Sequence, residues 1–158
     1  MPGAIHLLAG LNGAGKTTLA KQLAATLPAV RFSLDEWMLR LHGIRFDDEK
    51  YPGLAERCRG LIWDTAAQVV AADVDVVLDG NMWSRERRAE AAHRAAALGA
   101  TLHLHHVVVS LEVAVAQAAE RDDPDSHRLS AGGIAHLAEL FEPPGPDEGF
   151  ALHVVTRS

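Results

Sequence analysis

The stretch GLNGAGKTTLA, Gly10 to Ala20, decides how the rest of this 158-residue chain is read. Gly10, Gly15, Lys16 and Thr17 satisfy the spacing G-x-x-x-x-G-K-[ST]. Glycines at these places let the backbone curl until its N–H groups converge on phosphate oxygens, and the lysine then reaches the terminal phosphates. The threonine hydroxyl is placed to ligate Mg²⁺, and the start of a helix adds the positive end of its dipole. An apolar run, Ala4 to Ala9, precedes the stretch and a helical pattern follows it, which is the strand, loop and helix setting the motif needs. Gly10, Asn12, Gly13, Ala14, Gly15, Lys16, Thr17 and Thr18 are therefore the expected nucleotide-binding residues.

Outward from this loop, apolar runs alternate with helical stretches, the signature of parallel strands joined by crossover helices. A helix is expected from Lys16 to Leu27, stopped by Pro28, and a second strand from Val30 to Leu34. Glu36 to Pro52 is poorly patterned. A long helix follows from about Leu54 to Ala72, with Leu54, Leu61, Ile62, Ala66 and Val69 at helical spacing. Val74 to Leu78 reads as the third strand and Leu102 to Val109 as the fourth, while Ala151 to Val155 closes the sheet. Ser84, Ser110 and Ser130 are placed to cap the three later helices, which run to near Gly99, Glu120 and Phe141. The expectation is an α/β chain, one domain over residues 1–158, with no internal repeat, low-complexity tract or linker.

Composition narrows the partners. Fifteen Lys and Arg against 21 Asp and Glu give a net charge of −6, with no basic run of the kind that tracks a polyphosphate backbone, so nucleic acid is disfavoured. No apolar stretch reaches bilayer length, and Met1-Pro2-Gly3 lacks the basic, apolar start of a secretory signal; the expected location is the cytoplasm. The single cysteine, Cys58, has no evident catalytic partners and reads as a buried structural thiol. A monomer and a homodimer are equally compatible with the sequence.

What the held phosphate is for depends on the strand ends. VRFSLDEWM, Val30 to Met38, puts Asp35 at the carboxyl end of the second strand, where open parallel sheets place ligands. A carboxylate there is able to orient an acceptor hydroxyl and take its proton; capping the next helix is the competing role, and Glu36 is a rival acid. DVVLDGN, Asp75 to Asn81, brings Asp79 to the same edge as a Mg²⁺ partner through water, or as a contact to the acceptor. Trp37, Asp79, Asn81 and Arg85 are further acceptor-side candidates with Asp35, although Arg85 and Arg88 at helical spacing suit a solvated face with at most one turned inward. ERDDPDSHRLS, Glu120 to Ser130, carries Arg121 and Arg128; it reads as a lid over residues 121–129 whose guanidinium groups meet the transferring phosphoryl, or else as a charged surface loop.

Together these residues resemble the P-loop small-molecule kinases, a group of AAA-family ATP-binding proteins that includes the zeta toxins, chloramphenicol phosphotransferase and phage polynucleotide kinase. The likeness spans nearly the whole chain: Gly10 to Thr17, Ser33-Leu34-Asp35-Glu36, Asp79-Gly80-Asn81, Glu86-Arg87-Arg88, the Arg121 to Arg128 lid, and Phe141-Glu142-Pro143-Pro144 as an adenine-side loop. The resemblance implies a five-stranded parallel sheet flanked by helices, ATP and Mg²⁺, and transfer of the γ-phosphate to a hydroxyl. Asp35 would be the base, with Lys16, Arg121 and Arg128 in the catalytic set. Polynucleotide kinases of this group tend to carry an arginine three residues beyond the base, and Met38 stands there instead. Trp37, Met38, Leu39 and Leu41 make that side apolar, or fill the core beneath it; Asp47, Asp48 and Glu49 suit a cationic acceptor or a wet surface. His103 and His105 fall on one strand face and His106 on the other, so no three-ligand metal cluster follows. Trp63 and Trp83 suit core or pocket wall. The leading expectation is a kinase acting on a small antibiotic-like or nucleoside-like alcohol. The rivals are an end-phosphorylating polynucleotide kinase and a nucleotide-gated ATPase or switch that binds a protein.

Overall fold

Strands buried on both faces form the middle of a parallel sheet, and the valine- and leucine-rich runs here do so. The computed structural model describes residues 1–11, 13–80, 82–120 and 131–156. Its strands are β1 (Ile5–Ala9), β2 (Ala29–Ser33), β3 (Asp75–Asp79), β4 (Leu102–Val108) and β5 (Ala151–Thr156), in the order β2-β3-β1-β4-β5. All four pairings are parallel, with Ile5 opposite Val76 on one side and Leu102 on the other. The helices are α1 (Lys16–Thr26), α2 (Leu34–His42), α3 (Tyr51–Ala71), α4 (Arg85–Ala97), α5 (Leu111–Glu120) and α6 (Ala131–Leu140). Ile5, Leu7, Val76, Leu78 and Leu104 face the main core with residues of α2, α3 and α4, while Leu8 and Val77 on the opposite face meet Ala20, Leu19 and Leu23 of α1. Among the described residues no helix is long and apolar enough to cross a membrane.

The structure gives regular form to much of the poorly patterned segment 36–52. Helix α2 occupies much of it: the Ser33 hydroxyl accepts a bond from the Glu36 amide at 3.3 Å, and Gly43 ends the helix at φ 64° with its N–H bonded to the Leu39 carbonyl. Nine residues are too few for the apolar period to repeat clearly, so the caps carry the signal. Helix α3 begins at Tyr51, with Pro52 inside its first turn rather than before it. Proline is accepted there because its missing N–H is one the first turn leaves unbonded anyway. Ser84 and Ser110 cap their helices as expected, accepting from the Arg87 and Val113 amides; Ser130 lies outside the described residues.

One α4 arginine turns inward. Arg88 is fully buried, and its guanidinium donates to Glu148 Oε1 at 2.8 Å, the Met82 carbonyl at 2.9 Å and the Glu142 carbonyl at 2.7 Å. A single side chain thus fastens the segment after β3 and the stretch before β5 to α4. The Arg88→Met variant strands a carboxylate and two carbonyls, and its urea unfolding free energy is expected to fall by about 3–5 kcal/mol. Arg40→Met, on an exposed part of α2, is expected to change it by less than about 1 kcal/mol.

The sheet face that packs α1 also carries a row of imidazoles. His103 and His105 share that face, His106 lies on the other against Phe141, and the register adds His6 and His153 to the first pair. His6 Nδ1 lies 3.0 Å from His105 Nε2, and His103 Nδ1 lies 3.0 Å from His153 Nε2. The rings stack, with centroids 4.9 Å apart for His6 and His103 and 4.9 Å for His105 and His153, instead of converging on a point. Among the described residues no group of three or more could hold a metal ion. Burial first, then mutual repulsion, lowers these pKa values: His105 to about 4, and His6 and His103 below their usual 6.5 with Asp75 opposing. Because the unfolded chain takes up these protons first, stability is whole above about pH 6.5 and is lost as pH falls toward 4. Denaturant titrations across that window are expected to show a shallower pH slope for His105→Gln than for the parent chain.

Candidate active site

The first strand delivers the phosphate loop. Beyond Ala9 the chain curls through Gly13 at φ 83° and Gly15 at φ 96°, the latter capping α1 in the left-handed region that side chains avoid. A Cβ on Gly13 would stand 2.1 Å from the Ala114 carbonyl oxygen, so only glycine lets the loop lie this close to α5. Ala14 is buried and Thr18 exposed. Lys16 Nζ donates to the Gly10 carbonyl at 2.8 Å, and Thr17 Oγ1 donates to Asp79 Oδ2 at 2.9 Å, tying the start of α1 to the end of β3.

Asp79 is the electrostatic centre of the group. Burial pushes its carboxyl pKa up; the Thr17 hydrogen bond and the Lys16 charge oppose that, the Asp35 charge adds to it, and Arg31, with Nη1 3.8 Å away, opposes it again. Asp35 lies in the first turn of α2, where the N-cap is Ser33, so capping is not the aspartate's role. The rival acid is engaged elsewhere: the Glu36 carboxylate accepts from Arg31 Nη2 at 2.8 Å and lies 3.7 Å from Arg40. Tyr51, buried at the start of α3, has its hydroxyl pushed up to about 12 by burial and then by the Asp35 charge, against the pull of Arg59.

A shallow cleft of about 20 Å³, open to solvent, lies beside Asp79 and Gly80. Phe32, Leu34, Ile62, Trp63, Leu78 and Met82 form its apolar wall, and Arg59 of α3 is its cation. Trp63 is the expected pocket wall, its ring 5.4 Å from the Arg94 guanidinium, and Trp83 is 41% exposed. Trp37 packs on Phe32 at 5.9 Å and Met38 is fully buried, so both contribute to the core. Arg85 pairs with Asp147 at 3.0 Å on the surface and is not among the cleft residues. Asp47, Asp48 and Glu49 are exposed. The segment from Phe141 is pinned by the Glu142 amide bonded to the Trp83 carbonyl at 2.8 Å, and by Arg88. Asn12, Asn81, Arg121, Arg128 and the expected lid lie outside the described residues. Cys58 is buried and its thiol pKa raised by that burial. Arg59 and Tyr51 were not singled out from sequence; an arginine beside Cys58 and one turn before Ile62, on the buried side of α3, was the available signal.

The AAA domain family matches residues 5–144 of the chain. The hemin import ATP-binding protein HmuV of Burkholderia mallei (strain ATCC 23344) is 32% identical over 154 residues, covering 91% of this chain and 53% of that protein. The chain thus spans about half the length of the curated relatives it matches. Among solved structures, Chaetomium thermophilum Kti12 in complex with ADP-AlF3 superposes with a TM-score of 0.73 at 18% identity, covering 96% of this chain and 88% of that one. A gluconokinase from Sinorhizobium meliloti 1021 does so with a TM-score of 0.62 at 18% identity, covering 98% and 82%. These likenesses show the P-loop NTPase fold, five parallel strands flanked by helices, that the sequence led us to expect.

Proposed function

The chain belongs to the AAA domain family, and from that premise we propose that it is an ATP-dependent phosphotransferase that moves a γ-phosphoryl group to a hydroxyl of a small molecule, with Asp35 as general base. The observation that carries this reading is a second carboxylate at the phosphate-loop edge. Asp79 lines the cleft and is bonded to Thr17 at 2.9 Å, and the charge of Asp35 helps raise the Asp79 pKa. A switch needs the first acid alone, whereas transfer to an acceptor needs another to receive a proton.

The loop amides and Lys16 would hold the triphosphate. Thr17 and Asp79 offer the hard oxygen ligands that Mg²⁺ prefers, and the ion when bound neutralises charge on the β- and γ-phosphates. Asp35 accepts the proton of the acceptor hydroxyl; that oxygen bonds to the γ-phosphorus as the bond to the bridging oxygen breaks, leaving ADP and a phosphoester. Arg121 and Arg128 are assigned to the charge on the moving group, since guanidinium groups keep their charge at any working pH. The name of the HmuV relative supports ATP as donor. A polynucleotide acceptor finds no cation at Met38, which is sealed in the core.

Asp35→Asn is expected to lower acceptor-dependent ADP release by about 10²- to 10⁴-fold, while the Kd for ATP changes less than about threefold. A coupled ADP assay against a panel of sugars, antibiotics and nucleosides reads the first, and calorimetry the second. Unchanged turnover in the variant would remove Asp35 from the chemistry. Turnover that ignores every alcohol but rises with an added protein would favour the switch.

A further inference from the structure

Arg31 stands between the elements that carry the acids. It lies on the edge strand β2, opposite Val77 of β3, so its side chain leaves the sheet on the same face as Val77 and Asp79. From there the guanidinium reaches two elements at once. Nη2 donates to Glu36 Oε2 at 2.8 Å in the first turn of α2, and Nη1 lies 3.8 Å from Asp79 Oδ2 at the end of β3. The side chains are 20% exposed for Arg31, 22% for Glu36 and 10% for Asp79, so water screens this pairing less than it would an exposed one.

The arrangement answers a problem of charge. Asp35 and Glu36 are consecutive in the first turn of α2, and Asp79 ends the neighbouring strand. Burial raises the Asp79 pKa most, the Asp35 charge adds to that, and Arg31 is among the groups that oppose it. Carboxylates gathered at one edge repel, and without a cation between them the repulsion drives the start of α2 away from β3. Arg40 approaches Glu36 at 3.7 Å, but from a side chain that is 67% exposed. A guanidinium suits the shared position because its fixed fork of N–H groups serves two carboxylates at a set separation, where an ammonium is a point charge. We propose that Arg31 is a positioning residue: by holding Glu36 with one nitrogen while the other faces Asp79, it fastens the first turn of α2 to the end of β3 and so sets where Asp35 stands. What Asp35 then does rests on the phosphotransferase reading, whereas the fastening of α2 does not.

Two readouts separate position from chemistry. Nitroxide labels are placed through Gln22→Cys in α1 and Leu41→Cys in α2, both exposed positions, with the buried thiol removed by Cys58→Ala. Helix α1 is the reference because Thr17 ties it to Asp79. Pulsed electron resonance on the full chain is expected to give a label-to-label distance distribution at least twofold broader in Arg31→Met and in Glu36→Ala than in the parent, and unchanged in Arg40→Met. In the ADP-release assay the same two variants are expected to lower acceptor-dependent kcat about tenfold, with KM for ATP within about twofold of the parent. The double variant is expected to be no slower than the slower single one, since both substitutions cut one contact. Glu36→Ala carries both arms where Arg31→Met fails to fold. The proposal is overturned when the folded variants keep the parent's distance distribution, when kcat is unchanged on an acceptor that the parent turns over, or when the two effects on kcat multiply. Broadened distances in a chain that no alcohol drives to turnover would keep the fastening of α2 and reject the transferase reading instead.

Discussion

A sheet whose strands all run one way brings every strand's carboxyl end to the same edge, and the placement of this site follows from that constraint. The phosphate loop leaves β1, Asp35 follows β2, and Asp79 ends β3, so residues distant in the chain stand together without any one segment having to carry them all. The Thr17 to Asp79 hydrogen bond is the local expression of that convergence. It fixes the first turn of α1 to the end of the strand that neighbours β2, the strand the other acid follows.

The sheet was legible in the sequence because its two signals reinforce each other. The glycine-lysine-threonine loop demands a strand before it and a helix after it, and the later apolar runs repeat that alternation. What failed was local. Helix α2 was obscured because nine residues give few turns of periodicity, and the start of α3 because a proline in the first turn reads like a break. Both are cases in which the cap chemistry of Ser33, Gly43 and Pro52 says more than the apolar pattern.

The site was legible at the strand ends and obscure along the helices. Asp35 and Asp79 announce themselves by following apolar strands, whereas Arg59 is separated from both in sequence and enters the cleft only because α3 packs over that part of the core. Arg88 shows the same limit. Four arginines within α4 look alike in a string of letters, and only the fold distinguishes the one enclosed by Glu148 and two carbonyls from those in water. The imidazole row is a matter of register in the same sense. His6, His103, His105 and His153 come from three strands and become neighbours only once the strands are aligned.

The close approach of Gly13 to the Ala114 carbonyl oxygen leaves no slack between the phosphate loop and α5. A side chain at residue 13 would have to displace the Ala114 carbonyl, so the loop and α5 keep this packing only with a glycine as the bearing surface.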